Sequence, residues 1–371
     1  MGSPPRQSPG TSTTPAAALT STQIEGEDIL EAEEEGNDAS DADSALGSVG
    51  EILAICRNFN TNPSNKVAGS SLTSLRSSVL RYQEENGRTY HAMSSGKYGF
   101  PNDEDESKRL DLQHNLWLFT LRGELGLCPK IQNGPAKRVL DAGTGTGIWA
   151  IEYADVYPES EVIGVDLSPI QPSLTPPNCS FEVDDLEKEW TWTRPFDLIF
   201  ARVLTACFEE MQSFVDKSFE NLEPGGYLEM QDLTHPLGCD DGSLDLESPL
   251  GQFGPLVIKA CTLAGRPIDI APKYGEFMKK AGFVDVVHRQ YKWPTNAWPK
   301  DKHYKEIGAW SFENLNSGLE GLLLALFTRH LGWSVEEVTV YCAQARKQLR
   351  DPKVHAYIPI HVWYGRKPEG E

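Results

Sequence analysis

The chain has 371 residues, with 54 Asp and Glu against 34 Lys and Arg and a formal net charge of −20. That balance argues against a nucleic-acid partner, because binding to a phosphate backbone draws on clustered cations and no basic stripe is present. The seven cysteines form no C-x-x-C pair and no cluster spaced with histidine, so neither disulfides nor a metal site is expected, and reduced thiols suit the cytoplasm or nucleus.

Residues 1–50 hold ten acids and one arginine among Ser, Thr, Pro, Ala and Gly. They carry too little apolar surface to offset chain entropy, so a disordered acidic tail is expected. Leu72, Leu75, Val79, Leu80 and Tyr82 then recur at helical spacing, with Gly87 as a stop. A second helix is predicted from Asp103 to Leu125, with Leu110, His114, Trp117, Leu121 and Leu125 along one face and Gly126 beyond it. On such an apolar face His114 reads as a hydrogen-bonded packing residue rather than a base or ligand.

The run from Val139 to Ala150, V-L-D-A-G-T-G-T-G-I-W-A, takes an apolar strand through a Gly-x-Gly-x-Gly turn into a helix. Glycines let the backbone approach a ligand, and the first amides of the following helix point outward without intrahelical partners. A dinucleotide fingerprint would place its third small residue where Ile148 stands. Here the glycines are Gly143, Gly145 and Gly147, and Asp141 precedes them by two residues. A carboxylate at that place suits a cationic amine better than a pyrophosphate. The next strand ends in Asp166, 23 residues after Gly143, close to the ~20-residue interval that brings an acid to ribose hydroxyls. An amine, a ribose and no diphosphate describe S-adenosylmethionine.

Alternation predicts strands near 137–142, 161–166, 179–183, 196–201 and 226–232, a β-α series that implies a parallel sheet with ligands at its carboxyl ends. Pro169, Pro172, Pro176 and Pro177 predict an irregular loop between the second and third strands. Asp184, Asp185 and Leu186 follow the third strand, where a carboxylate and a backbone N–H could meet adenine; the alternative is a helix N-cap. Arg202 ends the fourth strand and suits either a methionyl carboxylate or a structural ion pair. His235, just past the fifth strand, is the first candidate for a general base, since histidine titrates near neutrality, with Asp232 and Glu209 behind it.

Insertions at 234–272 and 292–353 surround a strand at 283–291, and a strand at 354–365 closes the sheet. Helices are predicted at 301–311, 318–331 and 334–350. Residues 319–331, the longest apolar run, contain Glu320, Arg329 and His330 and are too short to span a bilayer, so no membrane partner is expected. Trp293, Trp298, Trp310, Phe312, Phe327 and Trp333 are read as an aromatic substrate wall, with ordinary core as the competing reading.

Five blocks carry a family resemblance: Y-G-F-P-N-D-E-D-E-S-K-R-L at 98–110 with His114, the L-D-A-G-T-G-T-G-I-W-A-I-E run, V-D-D-L-E-K-E-W at 183–190, F-D-L-I-F-A-R at 196–202 and L-E-P-G-G-Y-L-E-M-Q-D at 222–232. Over residues 72–365 the sequence resembles class I S-adenosylmethionine-dependent methyltransferases, and among them the LaeA-like methyltransferases of filamentous fungi. The resemblance implies a Rossmann-like α/β fold with a seven-stranded, mostly parallel sheet over 131–371. It also implies an N-terminal helical segment, 51–130, that covers the cofactor cleft. It points to the acid pair Asp184 and Asp185 for adenine, of which Asp185 is slightly preferred. Two function classes follow from it: an enzyme methylating a small secondary metabolite, or a regulator acting inside a nuclear protein complex.

Overall fold

The computed structural model describes residues 29–33, 82–93 and 99–370. It begins with an antiparallel pair, Gln83–Glu85 (β1) and Arg88–Tyr90 (β2), rather than the end of a helix. Gly87 is not a helix stop here. Asn86 and Gly87 sit at φ 51° and 76°, the two left-handed positions of a two-residue hairpin turn, and Asn-Gly is a strong short-range signal for that turn. The rest of the helix expected over 72–82 lies outside the described residues. So does most of the acidic tail, but residues 29–33 are ordered. There Ala32 bridges Pro299, the Lys300 amide donates to the Glu31 carbonyl at 2.9 Å, and Glu33 meets Lys305 at 2.6 Å. The backbone bridge to 298–300, with the Glu33–Lys305 pair beside it, departs from the disorder expected of the whole tail.

Glu104–Thr120 (α1) starts where the sequence indicates, with the Asp103 carboxylate accepting from the Glu106 amide. It ends before Leu125 because Arg122 and Gly123 take positive φ. After the short Pro129–Gln132 (α2), Arg138–Ala142 (β3) is buried at every position, as a central parallel strand covered on both faces must be. Ile148–Val156 (α3), Glu161–Asp166 (β4), Cys179–Val183 (β5), Phe196–Arg202 (β6), Met211–Glu220 (α4) and Leu222–Leu233 (β7) complete the β-α series. No helix separates β4 from β5, as the four prolines require.

Pro249–Leu263 (α5), Tyr274–Ala281 (α6), Val284–Pro294 (β8), Lys302–His330 (α7), Val335–Leu349 (α8) and Tyr357–Arg366 (β9) follow. The two helices expected over 301–331 are one helix of 29 residues. Its glycines do not break it, because they admit neighbours: a Cβ at Gly318 would lie 2.5 Å from Arg109 Cδ, and one at Gly321 2.6 Å from an Arg88 nitrogen.

The seven strands run in the order β5-β4-β3-β6-β7-β9-β8, with β9 antiparallel to both neighbours and the other pairings parallel. This is the Rossmann-like methyltransferase arrangement that the resemblance implied. The chain leaves β3 toward β4 and β5, then returns to place β6 on the other side of β3. The crevice at the carboxyl ends of β3 and β6 is therefore the place where such sheets bind ligands.

Candidate functional site

A cavity of about 240 Å³ opens at that crevice. One end is the glycine turn after β3. Gly143, Gly145 and Gly147 have φ of 73°, 57° and 81°, and a Cβ at Gly147 would collide with the Phe181 ring at 2.4 Å. A Cβ at Gly145 would meet only Leu110, at 3.5 Å. Gly145→Ala should therefore fold, losing about 1–2 kcal/mol to left-handed strain, which a denaturant titration would measure.

Two carboxylates flank the turn. Asp141 is 3% exposed and accepts from the Thr144 hydroxyl at 2.5 Å. Burial pushes its carboxyl up to about 7, while Thr144 and the Arg202 guanidinium pull in the opposite direction. Asp166, at the end of β4, accepts from the Gly145 amide at 2.9 Å and from the Ser168 amide at 3.0 Å, one to each oxygen. Burial raises it to about 6 against those bonds. The Gly143, Thr144, Gly145 and Gly147 amides are taken by Val165, Asp166 and Thr144, so the two carboxylates set the field at this end, and in their ionised forms they favour a cation.

Arg202, at the end of β6, lies between the Trp117 and Phe200 rings and reaches the same cavity. It donates to Gln231 Oε1 at 2.8 Å, to His114 Nδ1 at 3.0 Å and to the Leu125 carbonyl at 3.3 Å. Burial lowers it to about 10; Asp141, Glu229 and Glu152 act on it through space, without a direct bond. The structural ion pair weighed from the sequence is thus not formed among the described residues. His114 is 3% exposed and hydrogen-bonded at both ring nitrogens, as the packing reading required.

Asp184, Asp185 and Leu186 line the cavity beyond Asp166. Asp185 Oδ1 accepts from the Glu187 amide at 3.0 Å, a local turn bond with no helix after it, so the N-cap alternative does not hold. Of the three base candidates only His235 lines the cavity. Asp232 is 1% exposed and takes the Tyr274 hydroxyl at 2.8 Å, which fixes it in the core under the sheet end. Glu209 points to solvent and Arg266. His235 does not titrate near neutrality: burial holds its imidazole at about 4. Its Nδ1 is buried without a hydrogen-bond partner among the described residues, and its ring stands edge-on to Phe253 at 5.3 Å.

The far wall differs from the sequence expectation. None of Trp293, Trp298, Trp310, Phe312, Phe327 and Trp333 lines the cavity. Trp293, Trp310 and Phe327 pack into the core that joins α1, α5, α7 and α8, with Phe312 and Trp333 against it and Trp293 donating to the Thr120 hydroxyl at 2.7 Å; Trp298 is buried apart from it and donates to the Ala356 carbonyl at 3.0 Å. The lining comes instead from Phe253 and Val257 of α5 and from Leu315, Leu323 and Leu326 of α7, apolar positions one and two turns apart. Both insertions thus reach the cavity.

Sequence reasoning missed the polar contribution of α1. Arg109 binds Glu106 through two hydrogen bonds, at 3.0 and 2.7 Å, and Asn314 of α7 at 2.8 Å, all three at the cavity. Asp111 accepts from the Thr146 hydroxyl at 2.7 Å, tying the helix to the glycine turn. The spacing of Glu106, Arg109 and Gln113, three and four apart, was the available signal.

With this geometry in place, the comparisons with known proteins are specific. A methyltransferase domain model matches residues 124–288. Methyltransferase pytC of Aspergillus terreus is 39% identical over 300 residues, covering 81% of this chain and 92% of that protein. The secondary metabolism regulator LAE1 of Cochliobolus heterostrophus is 37% identical over 291 residues, 77% and 94% of the two chains. The protein-methionine methyltransferase laeA of Emericella nidulans is 34% identical over 315 residues, 84% and 82%. Fold, site geometry and relatives agree, and the chain belongs to the LaeA-like family of class I methyltransferases.

Proposed function

We propose that this chain transfers the methyl group of S-adenosylmethionine to an oxygen or nitrogen of a small, largely apolar molecule. The observation that carries the reading is the single cavity running from the glycine turn, past Arg202, to an aliphatic chamber under α5 and α7. The residues present fit the cofactor. Asp166 keeps free lone pairs for ribose hydroxyls, Asp185 and the Leu186 amide would take adenine, Asp141 would attract the ammonium group, and Arg202 has N–H groups left for the carboxylate.

The cofactor supplies a methyl group already activated on a sulfonium, so the chain's part is alignment and proton removal. Phe253, Val257 and the leucines of α7 exclude water and hold the acceptor. His235 is unprotonated throughout the neutral range and accepts the acceptor's proton as the new bond to carbon forms. The positive charge gained there replaces the one that the sulfonium loses, so the chamber's net charge is unchanged.

The pH dependence of binding follows from the carboxyl groups. Their folded pKa values lie above the ordinary carboxylate range, so Asp141 is half ionised at about 7 and Asp166 at about 6, and each becomes fully anionic only at higher pH. Affinity for the cationic cofactor should hold between pH 8 and 7.5 and fall as pH drops toward 5.5, by roughly tenfold for loss of one anion. Titrations across this range check it, and Asp141→Asn should flatten the upper part of the profile.

The acceptor is found by comparing metabolites of wild-type and deletion strains. One missing methylated compound, restored by purified protein with S-adenosylmethionine, supports a metabolite enzyme. Two relatives are named as a regulator and as a protein-methionine methyltransferase. Broad loss of unrelated metabolites, with methylation of none of them by the purified protein, would favour the regulatory role within a protein complex.

A further inference from the structure

We infer that His114 is a positioning residue, which aims Arg202 at the carboxylate of the cofactor's amino-acid end. The inference rests on the cofactor reading above and deepens it. An arginine always donates, so the 3.0 Å contact from Arg202 Nη1 requires an unprotonated His114 Nδ1. The hydrogen on the ring is then on Nε2 and donates to Glu152 Oε2 at 3.0 Å. The tautomer is fixed from both sides. Burial and the neighbouring guanidinium also lower the pKa of His114, with Glu152 opposing them, which keeps Nδ1 free to accept.

On the opposite side the Gln231 carbonyl oxygen takes Arg202 Nε, and the Gln231 amide donates to Glu229 at 2.8 Å, which fixes the amide's orientation. Glu229 in turn takes the Leu127 and Cys128 amides, anchoring the loop below. The guanidinium is therefore held by neutral acceptors on each side, between two aromatic rings. Among the described residues no bonded carboxylate cancels its charge. Neutral acceptors orient the fork while leaving its charge for a ligand anion, a task that a carboxylate at the place of His114 would defeat.

The test compares two ligands in the full chain: S-adenosylhomocysteine, which carries the amino-acid end, and 5′-methylthioadenosine, which lacks it. His114→Ala should weaken S-adenosylhomocysteine about tenfold, the scale of one charge-assisted hydrogen bond, and leave 5′-methylthioadenosine within about twofold. His114→Asn restores an acceptor at the δ position and should recover most of the loss. Equal losses for both ligands, no loss, or no recovery in His114→Asn would overturn the role. Arg202→Met separates the two levels: if it changes the ratio of affinities and His114→Ala does not, only the positioning role fails. If Arg202→Met leaves the ratio unchanged, the carboxylate assignment fails and takes the positioning role with it.

Discussion

His235→Ala should lower the rate of methyl transfer by about 10² to 10⁴, the range typical of a lost general base, with little change in cofactor affinity. The side chain is the one base candidate of the three that reaches the cavity, and it stands against Phe253 in the aliphatic part, away from the glycine turn. Its low pKa has a kinetic consequence. Histidine bases commonly leave an inflection in the rate profile near 6.5, but this imidazole is already unprotonated there. At saturating cofactor, the wild-type rate should show no histidine inflection between pH 6 and 8. Single-turnover measurements on wild type and variant check both statements, and an unchanged rate in His235→Ala would remove the residue from the chemistry.

Asp166→Ala should weaken S-adenosylmethionine roughly tenfold to a hundredfold, the worth of about 1.5–3 kcal/mol for hydrogen bonds to a charged acceptor. Two effects combine. Ribose hydroxyls lose their acceptor, and the Gly145 amide loses the partner that holds the turn in shape. Asp166→Asn separates them, because the amide oxygen can still accept from Gly145 while the charge and one acceptor are gone. It should fall between wild type and Asp166→Ala. Calorimetry on the three proteins orders them, and equal affinity in all three would take Asp166 out of the site.

The parts of the fold that were legible in the sequence are those where local chemistry and tertiary structure demand the same residue. The β3 run is apolar because the strand is buried on both faces, and the glycines after it mark positive φ directly. Prolines forecast the missing helix between β4 and β5 by removing backbone donors. Legibility failed where a residue has two local meanings. Gly87 can stop a helix or complete a hairpin, and Asn86 beside it decides for the hairpin. A gap is expected between helices at 301–311 and 318–331, yet α7 runs through it, and Gly318 within α7 leaves space for Arg109, more than 200 positions earlier. That reason exists only in three dimensions.

The candidate site divides in the same way. Asp141, the glycines, Asp166 and Arg202 stand at strand ends, so their convergence could be read from the β-α series. The acceptor wall could not. Tryptophans in the insertions suggested a chamber by their size, but Trp293 and Trp310 are buried in the helical core, Trp333 packs against it, and Trp298 donates to the Ala356 carbonyl. The leucines of α7 that line the cavity are indistinguishable by type from those that face that core. Burial also changed the character of His235, whose low pKa cannot be read from its place in the sequence.

Isothermal titration of the full chain with S-adenosylmethionine, and separately with NAD, tests the central assignment most directly. Saturable binding of one S-adenosylmethionine per chain is expected at pH 8, with none of NAD, because Ile148 stands where the dinucleotide turn needs a small residue and Asp141 repels a pyrophosphate. Binding of NAD without S-adenosylmethionine, or of neither, would contradict the account.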